Sequence, residues 1–338
     1  MAAERALSKI QYGKETISTH GTAVAATKMI AMGAIPIKPD RKPVYPPVNL
    51  GVRARTAYEV IYNYLVSNTL SIPYGYFQIL PMIFSCGLKG NVTASEVTPS
   101  QADYLWAHTP LLTGDNTPDS VTLEYGDDTQ AFEAEYVMFE KIKISGQVAQ
   151  EAGESPVAIE ADFFGRQHTA TTFTGALSIP VCEPMNAKLA RFYLDTAWSG
   201  IGGTEKANIL RGFDIEILTG LHPKFTGSGN PYFSVHGQSF IDVMAAFTLE
   251  GSSVADAIWD AMNAKTFQAV RLAINGAQIG SGTTHNLTLD IGGTWEEVIP
   301  LASEDRGNNI HTAMLHARYD GTGAKELQAN ITTSINAM

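Results

Sequence analysis

The 338-residue sequence predicts a mainly β protein, of the β-sandwich or β-barrel type, built from two tandem and related modules with one helix in each. Three observations lead to this fold class. Most of the chain alternates apolar and polar residues with the period of two that half-buried strands show. Each half contains one candidate helix. Short stretches of the first half are matched, in the same order, by stretches of the second half.

The strand pattern is clearest in six stretches, in which β-branched and aromatic residues are bounded by Gly, Pro or Asn. These are Ser120–Tyr125, Glu135–Ser145, Val157–Phe163, Gly212–Leu218, Phe267–Asn275 and Asn286–Ile291. Because successive side chains of a strand point to opposite faces, the alternation predicts sheets that bury one face. A sandwich or small barrel with one helix packed against it satisfies each half of the chain.

One helix is predicted at Val254–Asn263, with Ser253 as its N-cap and Asp256 at the third helical position. Its apolar residues form a single stripe that must pack against a sheet: Val254, Ala257, Ile258, Ala261 and Met262. A second candidate, at about Tyr76–Cys86, is apolar almost all round and contains Pro81, which a helix interior disfavours.

Two long segments, Pro36–Arg55 and Gly220–Gly237, are rich in Pro, Gly and Asn and lie between strand-like stretches. Loops of this length are uncommon in a compact domain unless they have a function, and contact with another molecule is a frequent one. The sequence therefore predicts two interaction arms, one in each half.

The two halves resemble each other through short matches in the same order. Gly21-Thr22 matches Gly203-Thr204, and Met29–Ile37 matches Ile209–Ile217. A strand predicted at Tyr58–Leu65 matches one predicted at Ile241–Thr248, and Thr122–Gly126 matches Thr288–Gly292. The long loop and the candidate helix take the same places in each half. This order predicts a first module at residues 1–185 and a second at 186–338, joined by a connector that contains Pro180 and Pro184.

Charge is distributed unevenly along the chain. The net charge is −11, but residues 1–55 contain nine Lys and Arg against three acids, a net of +6, so the remainder carries −17. Opposite charges on separate regions favour head-to-tail association of copies, and the acidic bulk repels DNA. An ordinary solvated acidic surface explains the same totals, so charge alone leaves both interpretations open.

The sequence contains no motif typical of an enzyme, a metal site or a cofactor site. Glu124, Asp127 and Asp128 lie where a strand runs into a polar turn, which favours turn geometry over glycoside hydrolysis. The eight histidines form no metal-type pair, and Cys86 and Cys182 lack metal-ligand spacing. We therefore expect a soluble, non-enzymatic protein with free buried thiols, no cofactor and no membrane span.

A further pattern is spread over most of the chain. In the first half it comprises Tyr12–Glu15, Gly21–Thr27, Tyr104–Pro110, Ser120–Asp127, Lys141–Gly146 and Phe164–Arg166, and in the second half Arg191–Asp195 and Phe213–Gly220. This pattern resembles the tail tube proteins of long-tailed, siphovirus-like bacteriophages, in particular the variety with two tube modules in one chain. The likeness includes no catalytic motif.

The resemblance implies a structural virion protein of the phage tail, assembled in the host cytoplasm. In this family, strands of neighbouring subunits complete an inner β-barrel around a channel through which the genome DNA passes without specific binding. Two modules per chain imply rings of three chains with pseudo-sixfold symmetry. The implied partners are further copies of the chain and the tape measure, tail terminator and distal tail proteins.

The resemblance also implies roles for particular residues. The long loops are expected to connect stacked rings, which makes Lys38, Arg41, Lys42, Arg53, Arg55, His222 and Lys224 candidate assembly residues. Glu124 and Glu135 are candidates to line the channel, where carboxylates repel phosphate. The alternatives are solvated charges on the loops and, for the two acids, positions that face solvent outside the tube.

Two other functions fit a β-rich chain. A carbohydrate- or receptor-binding β-sandwich of a virion or cell surface predicts exposed aromatic platforms, and Tyr45, Tyr74 and Tyr76 lie outside the strand patterns. A polysaccharide-degrading β protein predicts two convergent acids in a pocket and a monomeric state. Polymer formation distinguishes the tail tube function from both.

Overall fold

The computed structural model describes residues 7–31 and 38–338. Strands make up 48% of the chain and helices 10%, so the protein is mainly β, as the alternation predicts. The first half contains β1 (Lys9–Lys14), β2 (Lys28–Ile30), β3 (Lys38–Arg41), β4 (Tyr64–Ile72), β5 (Ser95–Glu96), β6 (Tyr104–His108), β7 (Val121–Gly126), β8 (Ala131–Gln147), β9 (Val157–Gly165) and β10 (His168–Thr171). The second half contains β11 (Ala190–Asp195), β12 (Leu210–Leu218), β13 (Leu221–Lys224), β14 (Val235–Gln238), β15 (Asp242–Glu250), β16 (Gln268–Gln278), β17 (Thr284–Asp305), β18 (Asn308–Ala317) and β19 (Leu327–Thr333).

Both predicted helices are confirmed, as α1 (Leu80–Gly87) and α2 (Ser253–Asn263). The predicted N-cap of α2 was wrong by one residue, because the Ser252 hydroxyl accepts the hydrogen bond from the Ala255 amide and Ser253 is already helical. Pro81 lies in the first turn of α1, where the missing N–H costs no helical hydrogen bond.

Eight strands form one continuous antiparallel layer in the order β3-β4-β9-β8-β12-β15-β18-β17. The C-terminal half of β8, from Met138, and the C-terminal part of β17, from Gly293, belong to this layer. One face is apolar and buried. The other face, which we call the open face, carries mostly half-exposed side chains, and the strict alternation along β15 illustrates the division.

Two further layers share strands with the eight-strand layer. The N-terminal half of β8 lies in the order β2-β1-β7-β8-β10. The N-terminal part of β17 lies in the order β11-β16-β17-β19-β6-β5. Because β8 and β17 each pass from one layer into another, buried residues of all three layers form one hydrophobic core, in which α1 packs on β8 and α2 on β17.

Several sequence predictions need correction. The loop predicted at Pro36–Arg55 contains strand β3, and the strand predicted at Tyr58–Leu65 begins only at Tyr64. Within the matched stretch Met29–Ile37, residues 32–37 lie outside the described residues. The match between Thr122–Gly126 and Thr288–Gly292 does not follow the strand order, since β7 lies between β1 and β8 whereas this part of β17 lies between β16 and β19.

The two cysteines are free, as predicted, but only one is fully buried. Cys86 is buried on α1, and Cys182 is half-buried. Burial raises the pKa of both thiols, which disfavours the reactive thiolate. Both thiols therefore fit a structural role.

Candidate assembly surface

The eight-strand layer ends in two unpaired edges among the described residues. β3 pairs with β4 alone, and the part of β17 beyond Gly293 pairs with β18 alone. Ile299 and Leu301 are exposed along the β17 edge, although both are large apolar residues. An open edge of this kind is a template for pairing with another strand.

Within one chain, the two halves of this layer join where β8 pairs with β12, and we call this junction the seam. β8 and β12 pair over seven residues, from Gly212 opposite Gln147 to Leu218 opposite Lys141. Two ion pairs cross the seam on the open face: the Lys141 Nζ lies 2.7 Å from a Glu216 carboxylate oxygen, and the Lys143 Nζ lies 2.9 Å from Asp214. The seam thus joins lysines on β8 to acids on β12.

A hairpin follows β12, one of the two strands of the seam. Residues 219–240, which we call the second arm, leave β12 and contain the hairpin of β13 and β14. At its tip, Phe233 is fully buried in a small cluster with Tyr136, Met138 and Phe164 of the first half. The backbone amide of Tyr64, at the start of β4, donates to the Pro231 carbonyl at 2.9 Å. The second arm therefore crosses from the seam to β4.

Arg166 fastens the second arm to the first half. Its guanidinium donates to the carbonyls of Phe233 at 3.1 Å and Ser234 at 2.9 Å, and also to Gly21 at 3.3 Å. The same group lies 4.7 Å from the centre of the Tyr136 ring. Hydrogen bonds from a charged donor, combined with cation–π contacts, are among the stronger polar interactions in proteins.

Two histidines complete the contact. The Tyr136 hydroxyl lies 3.0 Å from His236 Nδ1, and the His20 ring stacks on Tyr136 at 5.2 Å. Burial lowers the pKa of both histidines, and the proximity of His20 adds to the effect on His236. Both rings are therefore favoured in the neutral form, which suits a site that already holds the Arg166 cation.

We expect Arg166→Met to release the second arm while the layers stay folded. The variant loses three charge-assisted hydrogen bonds but keeps an aliphatic side chain, a change of about 2–4 kcal/mol in local opening energy. Hydrogen exchange should show faster exchange of amides 219–240. Arg318→Met is the matched control, since Arg318 is exposed and its side chain has no partner within the described residues. Unchanged protection of the arm would contradict the role of Arg166.

The first half carries a counterpart of the second arm, and this segment contacts little of its own chain. Residues 42–63, the first arm, leave β3 and are held by two isolated bridges, Val44 with Val60 and Pro47 with Thr56. Six of its large apolar side chains are exposed: Val44, Tyr45, Leu50, Val52, Tyr58 and Tyr62. The first and second arms thus differ in that only the second is packed.

The predicted assembly residues lie in both arms and on β3. Lys38 and Arg41 are exposed on β3, and the Arg41 guanidinium lies 5.0 Å from the centre of the Tyr64 ring. Lys42 Nζ is 3.5 Å from Asp40 at the surface. Arg53 and Arg55 are exposed and form no ion pair with any of the residues described. His222 and Lys224 are exposed on β13. Their role in ring stacking stays a prediction.

The two predicted channel acids are buried. The Glu124 carboxylate accepts hydrogen bonds from the Thr174 amide at 2.7 Å and from the side chain of Gln11 at 3.1 Å. Glu135 is 8% exposed, and burial raises its pKa to about 7. The channel-lining role of both residues stays a prediction, and the open face of the eight-strand layer carries other acids.

The sequence carries no signal that Tyr136 and Phe233 hold the second arm, and Arg166 stands out there only as part of Phe164–Arg166, a stretch that resembles the tail tube family. Their roles depend on contacts between residues far apart in the chain. Within residues 7–31 and 38–338, no group of His, Cys, Asp and Glu is arranged to hold a metal ion, and no helix has the length and apolarity needed to cross a membrane. No protein-family model and no curated protein matches the chain.

Proposed function

We propose that this chain is the major tail tube subunit of a siphovirus-like bacteriophage, whose copies form stacked rings around a channel for the genome DNA. The observation that supports this most is the eight-strand layer with two unpaired edges. Pairing between the β17 edge of one copy and the β3 edge of the next removes both edges and makes the layer continuous. Such a heterologous contact closes into a ring when the rotation per copy permits it.

A two-module organisation, with modules at 1–185 and 186–338, is part of the proposal. It is supported by a strand order that repeats, since β3-β4-β9-β8 and β12-β15-β18-β17 have the same succession of neighbours and chain directions. The turns that follow β1 and β11 supply a second similarity. Gly21 and Gly202 have φ of +78° and +81°, and each lies against an arginine, Arg166 or Arg271.

Rings of three chains follow from two modules per chain. Three copies of eight strands give a barrel of 24 strands, in which each chain contributes two similar sectors. In this arrangement the open face of the layer lines the channel. Its acids include Glu160, Asp162 and Glu297, while Lys141 and Lys143 are paired with carboxylates. An acidic lining repels DNA phosphate, so the genome passes without binding.

The remaining parts of the proposal come from the resemblance. The protein is placed in the virion after assembly in the host cytoplasm, and its partners are the tape measure, tail terminator and distal tail proteins. The predicted stacking residues of the two arms, Lys42, Arg53, Arg55, His222 and Lys224, connect successive rings, whereas Lys38 and Arg41 lie on the β3 edge that joins copies within a ring.

Electron microscopy of the purified full-length chain, with sedimentation across protein concentration and ionic strength, tests the function. Hollow tubes or rings with three equal subunits, each split into two similar sectors, are the expected result. A chain that stays monomeric at all concentrations, even after addition of tube fragments prepared from intact phage tails, contradicts the proposal.

One observation favours the carbohydrate- or receptor-binding alternative, namely the exposed tyrosines of the first arm. Tyr45, Tyr58 and Tyr62 are all more than half exposed. Aromatic faces of this kind bind sugar rings as well as protein. Glycan binding by a monomer that forms no rings would support this alternative.

A further inference from the structure

We propose that the β3 edge and first arm of one copy bind the β17 edge and its adjoining acidic end on a second copy, in a charge-reversed repeat of the β8–β12 seam. The inference rests on the proposed ring and specifies which residues hold its copies together. The occupant of the β17 edge is thus another molecule of this chain.

The internal seam supplies the geometry. β12 ends at Leu218, opposite Asp242, and β3 ends at Arg41, opposite Tyr64. Each of these two strands is therefore followed by an arm at the same end of its four-strand group. The second arm crosses the first group from β8 to β4. A first arm that follows the same path on the next copy crosses β17, β18 and β15.

The charges on the two seams have opposite order. In the internal seam the lysines are on β8 and the acids on β12. Residues 38–63, which comprise β3 and the first arm, contain five Lys and Arg against two acids, a net of +3. Residues 294–305 of β17 contain four acids and no Lys or Arg, a net of −4. The edges that remain unpaired are therefore complementary to each other.

The surface of β17, β18 and β15 that the first arm crosses on the next copy is acidic as well. On the open face, His316 Nε2 lies 2.7 Å from Asp242, and its Nδ1 lies 3.6 Å from Glu296. Burial and the nearby Asp242 raise the pKa of Glu326. The corresponding surface of the first half contains a cation, Arg166, which binds the second arm. The second arm itself has only one lysine, Lys224, and no arginine.

Apolar surface on both sides fits the same contact. Beside Asp242, Phe240 is 92% exposed and borders a cavity of about 490 Å³ that is also lined by Leu112 and Tyr319. The first arm presents Tyr58 and Tyr62, each 62% exposed. Burial of these side chains between copies supplies the apolar part of the interface, as Phe233 does within the chain.

Like-charge repulsion fixes the direction of assembly. Two β17 edges repel each other, and so do two β3 edges, so copies join head to tail only. A head-to-tail contact is the type that closes into a ring.

A charge swap tests the interface in the full-length chain. Lys38→Glu with Arg41→Glu, and separately Glu296→Lys with Glu297→Lys, should each weaken association measured by sedimentation by about 100-fold or more, because like charges then face each other. The quadruple variant carries both changes and should recover ring formation. Mixing the two double variants should restore pairwise binding that neither shows alone.

Matched controls carry the same charge changes away from the edges. Lys188→Glu with Arg191→Glu, and Glu96→Lys with Glu154→Lys, alter exposed residues and should leave association unchanged. Circular dichroism establishes that each variant is folded. Rings of the natural chain that persist unchanged in both double variants overturn this interface but leave the tail tube function intact. A natural chain that forms no rings overturns the function itself.

Discussion

Replacement of Glu15 by alanine is expected to lower the free energy of unfolding by about 4 kcal/mol or more. The Glu15 side chain is 1% exposed, and its carboxylate accepts four hydrogen bonds. The donors are the Gly21 amide at 2.7 Å, the Ser120 hydroxyl at 2.6 Å, the Thr122 hydroxyl at 2.9 Å and the Tyr136 amide at 2.8 Å. Alanine removes this acceptor from the amides of Gly21 and Tyr136 and from the Thr122 hydroxyl, while the Ser120 hydroxyl keeps His20 Nδ1 at 2.7 Å. Each unsatisfied buried group costs about 1–3 kcal/mol.

The position of Glu15 in the fold explains why so many donors surround its carboxylate. Glu15 follows β1 and joins the turn at Gly21, the start of β7 and the residue at which β8 passes between layers. That residue, Tyr136, has a φ of +57°, a left-handed backbone conformation that is uncommon for a non-glycine residue. The carboxylate thus stabilises a bend that the ladder hydrogen bonds do not, and the second arm packs against the same tyrosine.

Chemical denaturation and thermal melting of Glu15→Ala measure the effect, with a fall in Tm on the order of 10 °C expected. Glu151→Ala is the matched control, since the Glu151 side chain is 79% exposed and should change stability by less than about 0.5 kcal/mol. Equal stability of the two variants would show that the donors near Glu15 find other acceptors.

Acidification from pH 6.5 to about 4 is expected to remove a contribution to stability that comes from His108. The His108 ring is fully buried between Phe84 and Trp106, and its Nδ1 lies 3.0 Å from the Lys89 carbonyl. Its Nε2 has no hydrogen-bond partner within the described part of the chain. Burial lowers the pKa of His108 to about 4. A charged ring there has no nearby carboxylate to stabilise it.

The direction of the change in stability with pH follows from the number of protons that the folded and unfolded chains bind. Between pH 6.5 and about 4 the unfolded chain binds a proton at His108 that the folded chain does not. The contribution of His108 to stability is therefore fully present above pH 6.5 and is lost as the pH falls through this window, by about 3 kcal/mol for a shift of this size. Glu135 acts in the opposite direction, because burial raises its pKa to about 7 and the folded chain binds that proton more readily.

A variant that cannot titrate isolates this contribution. Relative to the natural chain, His108→Gln should gain about 3 kcal/mol in free energy of unfolding as the pH falls from 6.5 to 4, because it lacks the loss that His108 causes. His222→Gln, at an exposed position, should leave the pH profile unchanged. Parallel pH profiles for the natural chain and His108→Gln would contradict the assignment.

Local patterns in the sequence were sufficient where a signal is confined to a few neighbouring residues. The apolar stripe of α2 is one such case, because the helix and its buried face follow from spacing alone. Strands such as β15 were found because their alternation matches the burial of every second side chain. The length of β17 was underestimated, because the pattern predicted a strand only at Asn286–Ile291. Its polar C-terminal part lies in a different layer and is held there by pairing with β18.

The candidate site was predicted only in part. The two arms were recognised as long Pro- and Gly-rich segments, and their basic residues are exposed, as surface cations usually are. The burial of Glu124 was not foreseen, because its partners Gln11 and Thr174 lie more than 40 residues away in the chain. The packing of the second arm was missed for the same reason, since Phe233 meets residues of the other half.

By itself, then, the sequence determined the β-rich class, both helices, the existence of the two arms and the uneven distribution of charge, because each depends on residue spacing or composition. Tertiary structure alone decided that the eight strands form one layer, that β8 and β12 close an internal seam, and that β3 and β17 stay unpaired. These features depend on which distant strands become neighbours, and a strand pattern carries no record of its partner. Packing of side chains across neighbouring strands and their burial in the shared core make that choice.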